Sequence, residues 1–201
     1  MAGPAHDIQI LCVCTHNRTR SVMMAALLGG HLEAVGINAS VTSAGLHRDA
    51  NPATDGAIRQ MALRGYDVRW HVGHRINRDD VEDTDLILTA EVLHVAEIAG
   101  IWHDTFERAF TLPEFVANTD ESPQGLTLPG LLERINVGRP TALDYLDARI
   151  GELHDPTGEG PAQWEASVER IDDLTGRVAA KLATLDLVGT DRAIGCQTQD
   201  G

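Results

Sequence analysis

The feature that most constrains this chain is one junction near its start. The apolar run Ile8 to Val13 reads as a short buried strand, and Val22-Met23-Met24-Ala25-Ala26-Leu27-Leu28 reads as a helix. Between them lies the polar stretch Cys14-Thr15-His16-Asn17-Arg18-Thr19-Arg20-Ser21. A strand, a tight loop and a helix start converge backbone N–H groups on one point, and the helix dipole adds partial positive charge there. Into that cup the sequence sets a cysteine at one end and an arginine six positions later. Donors, dipole and guanidinium all favour the charged form of a thiol so placed. Arg20 offers a planar fork matched to two phosphate oxygens, and Ser21 stands where its hydroxyl can donate to the Cys14 sulfur. The pattern outlines a phosphoryl-transferring cysteine site in which Thr15, His16, Asn17, Arg18, Thr19, Arg20 and Ser21 form the phosphate-binding loop. The alternative, Cys14 as one more buried core thiol, is opposed by the polar run directly after it.

The rest of the chain supplies a scaffold for such a loop. Ile37 to Ser43, Asp85 to Thr89 and Ala109 to Leu112 read as three further strands. Between them fall helical patterns: one reaching Gly36, one from a Thr54 or Asp55 cap to Gly65, and one from Glu91 to Ala99. Gly29-Gly30 inside the first helix points to a close backbone approach or a break. Strand and helix in alternation imply an α/β fold, a doubly wound four-stranded parallel sheet with helices on both faces. Residues 117–141 read as an irregular insertion carrying one turn of helix at Leu131 to Ile135, and a long amphipathic helix starts at Pro161. The expected organisation is one domain over residues 1–187 with that insertion, then a disordered polar tail over 188–201.

A cysteinyl-phosphate route needs a proton donor for the leaving oxygen and later a base for water. Asp155, in Leu153-His154-Asp155-Pro156, is the candidate, because loops at the carboxyl ends of the strands gather around one ligand site. Taken alone, an Asp-Pro pair that begins a turn is an equally good reading.

Several motifs together resemble the low-molecular-weight protein tyrosine phosphatase family. Val13 to Ser21 is similar to its phosphate loop, Thr42-Ser43-Ala44-Gly45 to its second-strand motif, and Asp155-Pro156 to its general-acid loop. Gly65-Tyr66-Asp67, His71, Asp85-Leu86-Ile87-Leu88 and Trp164-Glu165 fall where the family has similar residues. The resemblance implies Cys14 as nucleophile, Arg20 as phosphate ligand and Asp155 as acid, with Asn17 strained in the loop and held by Ser21, Ser43 and His71. It implies hydrolysis of phosphomonoesters, chiefly on protein tyrosine, with inorganic phosphate as product and no cofactor. The chain departs from the family at His16, Arg18, Thr19 and Val22, and Thr157-Gly158 replace the aromatics that usually follow the acid. Arsenate reductases share this scaffold and loop, so arsenate reduction with a small-molecule thiol stays open as an alternative. A catalytically weak phosphate- or phosphotyrosine-binding module is a third reading.

Charge and cysteine usage narrow the setting. A formal net charge of −14 opposes nucleic acid and anionic membrane as partners, so an anionic substrate must be drawn in by a local positive cup. Three cysteines do not suggest a disulfide framework, and a start without a basic or apolar segment does not suggest a signal peptide; a cytoplasmic setting is expected. Cys12 is expected in the core and Cys196 as an exposed bystander. His71-Val72-Gly73-His74 lacks a third ligand at metal spacing, so no metal is expected. Oligomeric state has no signature in the sequence.

Overall fold

Strand β1 (Ile8–Cys14) holds the centre of the molecule because its residues are apolar on both faces. In the computed structural model, which describes residues 7–47 and 50–187, it pairs in parallel with β2 (Ala39–Gly45) on one side and β3 (Leu86–Thr89) on the other. Strand β4 (Ala109–Thr111) completes a four-stranded parallel sheet in the order β2-β1-β3-β4. Alternation along β1 sorts two cores. Ile8, Ile10, Cys12 and Cys14 join a cluster with α1 (Arg20–Ala34) and α7 (Pro161–Leu182), whereas Leu11 and Val13 join one with α4 (Val92–Ile101). This is the doubly wound fold expected from the sequence, and it leaves the carboxyl ends of β1, β2 and β3 at one edge. The expected disordered tail and Cys196 lie outside the described residues.

Element boundaries follow local chemistry. Helix α1 begins at Arg20, two residues before the apolar run, so Arg20 and Ser21 sit in its first turn. A Cβ at Gly30 would overlap the Tyr66 ring, which accounts for a glycine inside that helix as a close approach. Strand β2 starts at Ala39, opposite Ile8, and not at Ile37. Helix α2 (Asp55–Leu63) is capped by the Thr54 hydroxyl, which accepts from the Ala57 N–H.

Residues 117–141 are more regular than the sequence suggested. Helix α5 (Leu112–Thr119) starts at the end of β4, where Thr111 and Glu114 cap each other and Pro113 occupies the first turn. Helix α6 (Leu128–Asn136) is likewise started by Thr127 and Pro129, so the single turn expected at Leu131 to Ile135 is a full helix. These are polar-side-chain start signals, which an apolar-periodicity reading passes over. The same holds for the short α3 (Arg78–Glu82), capped by Asn77 and Asp80.

One buried cluster ties this region to the sheet. The Arg139 side chain is 2% exposed; its Nε donates to Glu114 Oε1 at 2.8 Å, and its terminal N–H groups donate to the Phe106 and Ala109 carbonyls at 2.6 Å. Its plane lies 4.3 Å from the Phe106 ring centre and 4.0 Å from that of Phe110, and the Tyr145 hydroxyl donates to Glu114. From there the chain returns to Gly151, whose carbonyl accepts from the Thr111 hydroxyl at 2.7 Å. Arg139→Met should therefore cost about 3–5 kcal/mol, because it strands a buried carboxylate. Urea unfolding of wild type and variant measures this, and a loss below about 1 kcal/mol, the scale of an exposed pair, would refute it.

Candidate active site

The cup forms because β1 stops at Cys14 while its neighbours crowd the loop that follows. The ladder continues past the strand, with Leu46 N–H donating to the Cys14 carbonyl at 3.1 Å and His47 N–H to the Thr15 carbonyl at 2.9 Å. A Cβ at Gly45 would lie 2.7 Å from the Asn17 nitrogen and 2.8 Å from the His16 carbonyl carbon. Only glycine lets β2 approach this closely, and the approach folds the loop over the strand end. Among described non-glycine residues, Asn17 alone has a positive φ, 52°. A short amide side chain tolerates that conformation better than most.

Buried hydrogen bonds hold Asn17 in place. Its Nδ2 donates to Ser43 Oγ at 2.8 Å and to Ser21 Oγ at 3.0 Å, and its Oδ1 accepts from the His74 N–H at 3.2 Å. His71 Nε2 donates to its carbonyl at 2.7 Å. Ser21 Oγ, having accepted from Asn17, keeps its own proton for Cys14 Sγ at 3.0 Å. The four-residue support expected from the sequence is thus assembled, and the His74 backbone joins it.

Arg20 lies at the base, 3% exposed. One terminal nitrogen donates to Glu91 Oε1 and to the Leu153 carbonyl, the latter at 3.0 Å; the other lies 3.0 Å from Asp155 Oδ2. Its Nε is buried and has no hydrogen-bond partner. A buried guanidinium donor without an acceptor is costly unless a ligand supplies one. A phosphoryl oxygen fits that requirement in charge and geometry.

Asp155 comes from the other end of the chain to the rim. Three contacts aim its loop: Leu153 N–H donates to the Ala90 carbonyl at 2.8 Å, Val92 N–H to Glu152 Oε1 at 2.8 Å, and Thr157 N–H to Asp155 Oδ1 at 3.0 Å. Burial pushes the Asp155 carboxyl up, but the Thr157 hydrogen bonds, Arg20 and His154 outweigh it and leave it below the ordinary carboxylate value. Hydroxyls link the Asp155 loop to the cysteine loop and α2, Thr19 Oγ1 lying 3.0 Å from Thr54 Oγ1 and 3.3 Å from Thr157 Oγ1. Cys14, Thr15, His16, Arg18, Thr19, Arg20, Thr54, Asp155 and Thr157 line a cavity of about 100 Å³. Arg18 is anchored through Nε to the Pro52 carbonyl at 3.0 Å.

The expected residues therefore converge, with Asn17 and Ser21 in supporting positions behind the cavity. Sequence reasoning missed Glu91, His94 and Thr54. Their one signal was position, Glu91 and His94 at the start of the helix after β3 and Thr54 at the start of α2, both at the ligand edge. Cys12 is fully buried as expected, and its burial, with Cys14 nearby, pushes its thiol far up. Among the described residues no cluster could hold a metal ion, and no helix is long and apolar enough to cross a membrane.

A sheet with this order, ending in a cysteine loop over a buried arginine, defines a class, and comparison with known proteins gives the same one. The family model for low molecular weight phosphotyrosine protein phosphatase matches residues 9–133. A protein-arginine-phosphatase of Bacillus subtilis is 31% identical over 113 residues, 56% of this chain and 75% of that protein. The low molecular weight protein-tyrosine-phosphatase Etp of Escherichia coli is 34% identical over 93 residues, 46% of this chain and 60% of Etp. Among solved structures, a YwlE variant from Bacillus subtilis superposes with a TM-score of 0.69 at 24% identity, covering 88% of this chain and 99% of that one. A low molecular weight protein tyrosine phosphatase from T. tengcongensis gives 0.68 at 21% identity, covering 88% and 100%. The chain belongs to the low molecular weight phosphotyrosine protein phosphatase family, and it is a cysteine-dependent phosphatase.

Gly45→Ala tests the steric origin of the cup. A methyl group meeting backbone on two sides must push the loop off the strand end, so kcat/KM for an aryl phosphate should fall by about 100-fold or more, the scale of misplacing a reacting group by an ångström. A variant within a few-fold of wild type would show that the loop does not depend on this approach.

Proposed function

We propose that this chain hydrolyses phosphorylated side chains of proteins through a cysteinyl-phosphate intermediate. The observation that carries the reading is that Arg20, whose buried Nε has no partner, lines one cavity with Cys14. In the proposed reaction the Cys14 thiolate attacks phosphorus, the bond to the leaving group breaks, and Asp155 gives that group its proton. Water, deprotonated by Asp155, then attacks the cysteinyl phosphate and releases inorganic phosphate and the thiolate. Ser21 Oγ–H supports the thiolate before attack and after release.

The lowered Asp155 value belongs to the unliganded cup, where Arg20 stands against it. When a phosphoryl dianion takes the guanidinium, Asp155 loses a cation and gains an anion as neighbours. Both changes favour its protonated form, which is the form a general acid needs. In this reading the described residues 7–187 act as one domain, and the α5–α6 region serves to return the chain to the acid loop. Arsenate reduction would need a small-molecule thiol, because Cys12 is buried and Thr19 offers no thiol to resolve an adduct, and thiol-dependent arsenate turnover measured beside p-nitrophenyl phosphate hydrolysis separates the two.

Substrate choice has two readings. Tyrosine is supported by the family and by similarity to Etp. Phosphoarginine is favoured by similarity to the Bacillus subtilis arginine phosphatase and by the rim, which among its described lining residues presents threonine hydroxyls, His16, Arg18 and the Asp155 carboxylate, and no tyrosine, phenylalanine or tryptophan ring. A carboxylate beside the scissile bond suits a guanidinium leaving group at least as well as a phenol. Matched phosphotyrosine and phosphoarginine peptides separate the two by kcat/KM; a preference of about tenfold or more, 1.4 kcal/mol, decides it.

The chemistry itself has two tests. Cys14→Ser should abolish turnover while leaving the circular dichroism spectrum and melting unchanged, and near wild-type turnover would disprove the mechanism. Asp155→Asn should cost on the order of 100-fold in kcat/KM, which reports the leaving-group step and not the later hydrolysis of the adduct, for alkyl or phenyl phosphate and much less for p-nitrophenyl phosphate, whose leaving group needs no proton. Equal losses on both would assign Asp155 a structural role.

A further inference from the structure

His94 touches both the cysteine loop and the residue that holds Arg20, and the reaction above gives it no part. It is the third residue of α4 and only 1% exposed. Its ring nitrogens face partners that fix its tautomer. Nδ1 lies 3.1 Å from the Glu91 backbone nitrogen, which can only donate, so Nδ1 is the bare acceptor. The ring proton therefore resides on Nε2, which lies 3.1 Å from Thr15 Oγ1 and donates to it. Burial, with help from Arg20 and His47, pushes His94 down to about 4 despite Glu91 and Asp155, so the ring stays neutral near pH 7.

The consequence falls on Thr15. With its oxygen accepting from His94, the hydroxyl must aim its own proton elsewhere, and Thr15 lines the cavity directly after Cys14. We propose that His94 is a positioning residue for phosphoryl transfer, its Nε2–H tautomer turning the Thr15 hydroxyl proton toward the phosphoryl oxygens in the cup. Such a donor is set before the charge it meets develops, which is where a fixed hydrogen bond lowers a barrier most. The other ring nitrogen holds the backbone of Glu91, and the Glu91 side chain holds Arg20, so one imidazole sets the spacing between hydroxyl and guanidinium. This inference rests on the phosphatase reading above.

Two amide substitutions separate its halves. His94→Gln can place a donor near the Nε2 position but offers nothing at Nδ1; His94→Asn keeps an acceptor near Nδ1 and loses the donor to Thr15. His94→Asn should lower kcat on the order of tenfold with little change in KM, the cost of a donor felt mainly in the transition state, and should melt near wild type. His94→Gln should melt lower yet recover at least a third of wild-type kcat. Thr15→Val should reproduce the kcat loss, and Thr15→Val combined with His94→Asn should be no worse than either single variant, since both remove one donor. Wild-type kcat in His94→Asn or Thr15→Val, or additive losses in the double variant, overturns the proposal while leaving the phosphatase reading intact. Activity retained by Cys14→Ser, measured in parallel, would overturn both.

Discussion

The site depends on how the Arg20 guanidinium is held. A buried cation must have its charge answered, and here three groups from distant stretches of chain do so: Glu91 at the start of α4, the Leu153 carbonyl, and Asp155 at the rim. None of them satisfies Nε. The arrangement gives Arg20 partners for both terminal nitrogens in the empty protein and leaves one donor without an acceptor. In the proposed reaction it also links substrate binding to acid chemistry, because Asp155, the group that Arg20 would give up on binding phosphate, is the one that then carries a proton.

That geometry explains why the chain after β4 is built as it is. Leu153 and Asp155 can reach Arg20 only if residues 151–157 are laid along the carboxyl edge of the sheet. The ladder-like bond from Leu153 to Ala90, the Glu152 cap on α4 and the Thr111 bond to Gly151 lay them there. Upstream, the Arg139–Glu114–Tyr145 cluster fixes where that return segment begins. Helices α5 and α6 thus lead into the return segment, and the buried Arg139–Glu114 pair ties that segment to the start of α5.

Much of this was legible in the sequence where one residue's chemistry announced itself. Cys14, Arg20, Ser21 and the strand–loop–helix setting could be read directly, and resemblance to a family brought Asn17, Ser43, His71 and Asp155. Hydrophobic periodicity found all four strands and the long final helix. It failed for α3, α5 and α6, whose starts are written in capping pairs such as Asn77 with Asp80 and Thr111 with Glu114. It could not reveal Glu91 or His94 either. Their importance comes from what the fold sets opposite them, Arg20 and Thr15, residues more than seventy positions away. Gly45 shows the same limit: it resembled part of a motif, but its reason, backbone within 3 Å of a virtual side chain, exists only in three dimensions.

The central claim is that Cys14 itself carries the phosphoryl group between two chemical steps. Rapid-quench mass spectrometry of the protein during turnover of an aryl phosphate tests this most directly. The account predicts a phosphate adduct on the peptide containing Cys14 within the first turnover, one that accumulates in Asp155→Ala, where water lacks its base, and is absent in Cys14→Ser. Hydrolysis at the wild-type rate with no adduct on Cys14 at any quench time, in either wild type or Asp155→Ala, would contradict it.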